Sequence, residues 1–144
     1  VSAGIFAALL PAILMAQSFP DGPGKNTFEL VCGFCHPPAF VLDKTFSKAE
    51  WQSKVAEMLQ AEDVSQQEKD AIVGYLAKNF PQKVKVNEAA TKELQSVLEI
   101  TEAQAAAIVA SRRAKGALNS VDDLKRVTGI DASKLEDIRN RILF

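Results

Sequence analysis

Apolar positions recur at helical spacing along most of the chain. Gly24, Phe28 and Cys32 stand four apart, which predicts a short helix, and Pro37-Pro38 end it. Trp51, Val55, Met58 and Leu59 follow at i, i+4, i+7 and i+8 behind Ser47-Lys48-Ala49-Glu50, a capping box. A second box, Ser65-Gln66-Gln67-Glu68, opens a helix carrying Ile72, Val73, Tyr75, Leu76 and Phe80, with Pro81 at its end. Lys83-Val84-Lys85-Val86 carries no helix signal and reads as a linker. The pattern then repeats at an offset of thirty: Leu94 matches Leu124, Val97 Val127, Ile100 Ile130 and Ile108 Ile138. Each copy reads helix, tight turn, helix. Asn87, Thr101 (with Gln104 at N3), Ser120 (with Asp123) and Asp131 are the expected N-caps. Gly116 and Gly129 are the expected helix breakers.

The start of the chain is different in kind. Nothing from Val1 to Pro20 is charged, and Gly4 to Met15 form an apolar block of signal-peptide length. Ala16-Gln17-Ser18 place small residues at the −3 and −1 positions of a cut before Phe19. The segment reads as an export signal. The rival is an uncleaved anchor, since ~20 helical residues span roughly 30 Å. Either way the remainder is expected outside the cytoplasm, in the periplasm or an equivalent space.

Composition narrows the chemistry. The 144 residues suffice for one ordinary domain or two small ones, and 47% apolar with 24% charged residues suits a folded chain. A net charge of −1 lacks the global pull of a dedicated nucleic-acid binder. Two Cys, one His and two Met exclude zinc fingers, multi-histidine metal sites and catalysis needing a second imidazole.

All the cysteine and histidine of the chain sits in Cys32-Gly33-Phe34-Cys35-His36. C-x-x-C-H is the attachment sequence for c-type haem. On a helix, positions 32, 35 and 36 share one face, so two thiols can meet the two vinyl groups while the imidazole reaches the iron. A thioredoxin-like motif would follow a strand, and no β-rich run precedes Cys32. A zinc site would need further Cys or His. A plain disulfide beside an incidental histidine is the bland alternative. The surroundings resemble the first helix of small cytochromes c, where a Gly and an aromatic pack against the terminal helix.

With His36 used, a sixth ligand has few sources. Met15 lies in the signal segment, which leaves Met58 as the available thioether. A lone Met on an apolar stripe is commonly packing, and an open or water-bound iron is the alternative. Glu50-Trp51, Val55, Met58, then Ser65, Glu68, Ile72-Val73 and Tyr75 to Phe80 resemble small monohaem cytochromes c that accompany periplasmic quinoprotein dehydrogenases. The resemblance covers about residues 22–80 and implies that Met58 is the distal haem ligand. It also implies packing of Tyr75 and Leu76 near Phe28, and redox partner proteins such as a periplasmic dehydrogenase. Relatives often carry Gly in the turn after the methionine, where this chain has Ala61-Glu62-Asp63.

Val86-Asn87-Glu88-Ala89-Ala90, Val97 to Thr101, Val121 to Leu124 and Val127 to Asp131 resemble tandem helix-hairpin-helix domains, over about residues 86–144. In DNA-binding members of that family two hairpin glycines let backbone N–H groups grip a phosphate. Here Glu99 and Thr101 replace both glycines of the first hairpin, and Asp131 replaces one in the second. Residues 85–144 balance ten basic against nine acidic side chains, far from a basic footprint. Arg112, Arg113 and Lys115 form a local basic cluster, which reads as a solvated helix C-terminus.

These readings join into one expectation. The chain is all-α: a signal peptide or N-terminal anchor over residues 1–18, a cytochrome c domain over 19–82 and a tandem helix-hairpin-helix domain over 83–144. It is an exported one-electron carrier and not an enzyme. Cys32 and Cys35 hold one haem c, His36 is the proximal ligand and Met58 the distal one. The hairpins serve protein docking. The alternative is a haem-tagged module whose hairpins bind duplex DNA. Membrane attachment is expected only if the N-terminal segment is uncleaved.

Overall fold

The computed structural model of the protein describes residues 18–60, 64–127 and 130–144. The apolar block before Ser18, the turn Ala61-Glu62-Asp63 and the breaker Gly129 lie outside the described residues. The described chain is mostly helical, with one two-stranded parallel pair. None of its helices is long and apolar enough to cross a membrane.

Three helices build the first core. Helix α1 spans Lys25–Gly33, α2 Lys48–Met58 and α3 Gln66–Asn79. Both expected capping boxes form: Ser47 and Glu50 bond reciprocally at the start of α2, and Ser65 and Glu68 at the start of α3. Gly24 caps α1 with φ 86°, and a side chain there would meet the Ala71 carbonyl and Tyr75 Cβ of α3. Glycine is therefore what lets α1 approach α3. Phe28 is fully buried, stacked on Tyr75 (5.2 Å) and edge-on to Phe19 (5.1 Å). The Tyr75 hydroxyl donates to the Pro20 carbonyl (2.8 Å), and Trp51 Nε1–H to that of Phe80 (2.9 Å), so the polar tips of buried rings are satisfied.

A separate apolar cluster begins at Val84. The stretch expected as a linker is instead strand β1 (Val84–Lys85), paired in parallel with the C-terminal strand β2 (Ile142–Leu143). Val84 and Val86 are buried against the hairpins. Alternating Val and Lys put one face in the core and one in water, a period-2 pattern that a search for helical spacing overlooks.

Four helices follow: α4 Thr91–Leu98, α5 Glu102–Lys115, α6 Val121–Lys125 and α7 Ala132–Asp137. The repeat pairs Leu94 with Leu124 and Ile108 with Ile138, and all four side chains are buried. The second copy is shorter, because a 3₁₀ turn, Arg139–Arg141, breaks off α7 and delivers the chain to β2. Thr101, Ser120 and Asp131 cap their helices. Asn87 does not: α4 starts at Thr91, and the Asn87 amide exchanges two 2.8 Å hydrogen bonds with the backbone of Leu118. Gly116 leaves α5 with φ 87°, a backbone setting that favours glycine.

The two cores are joined by a short strap. Phe46 N–H donates to the Phe80 carbonyl (3.3 Å) and Gln82 N–H to the Phe46 carbonyl (2.8 Å), around an isolated bridge between Phe46 and Pro81. The Asn140 amide adds a bond to the Lys78 carbonyl (2.9 Å).

Candidate functional site

The Cys-His motif straddles the end of α1. Cys32 lies in its last turn, while Cys35 and His36 follow Gly33, outside the helix. The single helical face expected for all three is thus broken, because Pro37 and Pro38 bar further helix and restrict the residue before each. Even so, Cys32, Cys35 and His36 line one cavity, together with Val31 from α1 and Val55, Met58 and Leu59 from the end of α2. The cavity encloses about 170 Å³. Met58 is 63% exposed while lining it, so this methionine stands at the rim and not in the core.

The two thiols are not joined as a disulfide. Burial, with a smaller effect from Cys35, pushes the Cys32 thiol up to about 11. That burial opposes formation of the Cys32 thiolate. Among the described residues no three His, Cys, Asp or Glu side chains gather closely enough to hold a bare metal ion. His36 Nδ1 lies 3.3 Å from the Pro37 carbonyl. A carbonyl only accepts, so a hydrogen bond here has Nδ1–H as its donor and does not involve Nε2.

The donor set, two thiols, one imidazole and one thioether among Val31, Val55 and Leu59, has the chemistry that a c-type haem requires. A cavity this small holds only part of such a group. Leu30, Phe34, Phe40 and Leu42, all exposed, belong to α1 or the turns that follow it.

The hairpins present a different chemistry. Between α4 and α5, Glu99 holds the left-handed conformation (φ 53°) that ordinarily favours glycine. Its carboxylate receives Arg141 Nη1 at 2.6 Å and lies 3.9 Å from Lys134 Nζ. The bond from Arg141, with smaller help from the charges of Lys134 and Lys48, holds the Glu99 carboxyl below the usual carboxylate range. The hairpin amides are also engaged. Ile100 N–H donates to the Gln95 carbonyl, Thr101 N–H to Gln104 Oε1 and Gln104 N–H to Thr101 Oγ1. At the second hairpin, Asp131 accepts from the N–H groups of Ser133 (2.8 Å) and Lys134 (3.5 Å).

The basic cluster divides by role. Arg112 is half-buried and donates to the carbonyls of Val86 (2.6 Å) and Ala89 (2.8 Å), clamping the turn before α4. It is not the solvated residue that its place in the last turn of α5 suggests. Arg113 and Lys115 are exposed. The Glu99–Arg141 pair escapes sequence reasoning because its members are 42 positions apart. The only local sign is a non-glycine residue where the hairpin turns.

Known proteins resemble the chain in part. It is 42% identical over 60 residues to the bovine "Endonuclease/exonuclease/phosphatase family domain-containing protein 1". It is 40% identical over the same length to the rat protein of that name. These alignments take in 42% of this chain and 10% of each relative, so the chain spans about a tenth of their length. No solved structure matches the chain. Residues 80–143 match the family described as "Helix-hairpin-helix motif", and this part of the protein is a helix-hairpin-helix module.

Proposed function

We propose that the protein is an exported electron carrier that holds one haem c on its first helical unit, with the hairpin module serving as a protein-docking element. One observation carries the reading. The two cysteines, the only histidine and the methionine of α2 line a single cavity whose other walls are Val31, Val55 and Leu59. In this reading Cys32 and Cys35 tether the porphyrin through thioethers, so the cofactor is retained outside a cell. His36 binds through Nε2, with Nδ1 tied to the Pro37 carbonyl. Met58 supplies a neutral thioether, and a His/Met pair holds a higher potential than two imidazoles. When bound, the group supplies an iron that cycles between Fe(II) and Fe(III). Val31, Val55 and Leu59 would give the group an apolar wall on that side. The apolar, uncharged start of the chain supports export.

Intact mass and the optical spectrum of protein matured with haem-attachment machinery test the proposal. A mass increase of one haem and a thioether-to-iron band in the oxidised form are expected, and the band should vanish in Met58→Ala. Unmodified mass would end the reading.

A second reading is favoured by the helix-hairpin-helix match: the module binds duplex nucleic acid. The names of the partial relatives, which refer to endonuclease, exonuclease and phosphatase domains, point the same way. Glu99 and Asp131 weigh against it, because each puts a carboxylate where a phosphate would approach a helix N-terminus. Duplex retention at low salt that is lost on Arg113→Ala with Lys115→Ala would favour this reading over protein docking.

A further inference from the structure

We propose that Phe40 is a positioning residue that sets the plane of the His36 imidazole, an inference that rests on the haem reading above. Phe40 stands 63% exposed and takes no part in the core cluster of the first unit. Hydrophobic burial therefore does not account for it. Its ring lies 5.3 Å from the His36 ring, tilted by 32°, and among the described residues this is its one aromatic neighbour.

The backbone makes this contact a fixed one. Phe40 belongs to the 3₁₀ turn Pro38–Val41, which starts on a proline with φ already set. Phe40 N–H donates to the Pro37 carbonyl at 3.3 Å. The same oxygen faces His36 Nδ1 at 3.3 Å, so one carbonyl references both rings. Rotation about the Cβ–Cγ bond is the freedom left to the imidazole, and one 3.3 Å contact at Nδ1 restrains it only weakly. An aromatic face laid against the ring removes that remaining freedom, since tilted and offset aromatic pairs have preferred geometries. The orientation of an axial imidazole is one of the levers a protein has on a bound haem.

The test uses the matured, haem-bearing protein and its Phe40→Ala, Phe40→Leu and Phe40→Tyr variants. Intact mass is taken first. Absence of the haem increment in the unaltered protein sinks the haem reading, and this inference with it. With haem present, the hyperfine-shifted methyl resonances of the oxidised protein report the imidazole plane, and the midpoint potential reports its bonding. Phe40→Ala and Phe40→Leu should change the spread and order of the methyl shifts and move the potential. Phe40→Tyr should restore both. The melting temperature should change little, because the side chain lies outside the core. Methyl shifts and potential that stay unchanged in Phe40→Ala overturn the inference. So does Phe40→Leu matching the unaltered protein, because bulk alone would then suffice.

Discussion

In the hairpin unit the large apolar side chains exposed among the described residues are Leu143 and Phe144 at its end, whereas between Phe28 and Met58 five stand in solvent: Leu30, Phe34, Phe40, Leu42 and Met58. Both units have a buried core of their own. The hairpin unit closes its core with its own side chains, down to a parallel strand pair that seals Val84 against the C-terminus. The first unit closes only the side where α1 meets α3 and α2 meets α3. Its open side carries both thiols, the imidazole and the thioether. Exposed apolar surface concentrated around reactive side chains is the pattern of a unit that awaits another group, whereas a closed module acts through its outer surface.

This contrast can be broken in three places. The largest effect is expected from Cys32→Ser with Cys35→Ser in the matured protein. Covalent haem should be lost entirely, and amide protection should fall across residues 25–80 while persisting across residues 84–142. Hydrogen exchange read by region checks this, and equal loss in both units would show that the cores do not stand apart.

Next comes Leu94→Ala, which empties a fully buried site in the closed core. A cost of ~2–5 kcal/mol is expected in denaturant unfolding, with the haem spectrum unchanged. A spectrum that shifts along with stability would reveal coupling through the Phe46–Pro81 strap.

The smallest effect concerns Glu99. Arg141 depresses its folded-state carboxyl, so the ion pair stabilises the protein above the ordinary carboxylate range, and that contribution fades as pH falls through the lowered value. Unfolding of the unaltered protein and of Glu99→Gln should therefore differ at neutral pH and converge as pH falls below the ordinary carboxylate range. Because Glu99 is mostly exposed, the gap should be small and shrink with salt. Glu99→Gly relieves a left-handed residue while losing the pair, two opposed effects each on the order of 1 kcal/mol. A large net change in either direction would mean that the turn or the ion pair counts for more than its surroundings indicate.

Much of this architecture was legible in residue order. Both capping boxes and the thirty-residue repeat are local or periodic features, and local sterics and hydrogen bonding produce them wherever they occur. The helical face expected for Cys32, Cys35 and His36 did not form, because the two prolines end α1 at Gly33. Three readings failed where distant partners decide. Lys83 to Val86 became a strand because Ile142 and Leu143 pair with it. Asn87 left its expected cap for the backbone of Leu118. Arg112 turned from solvent to the carbonyls of Val86 and Ala89.

Sequence alone thus determined most of the helical segments and three of the hairpin caps, Thr101, Ser120 and Asp131, because these depend on neighbours within a few positions. Only the tertiary structure decided that Met58 and the Cys-His motif share one cavity. It also gave Glu99 its partner across 42 positions. Those juxtapositions arise when separate helices bury their apolar faces together, and no short-range pattern records which polar groups that burial brings into contact.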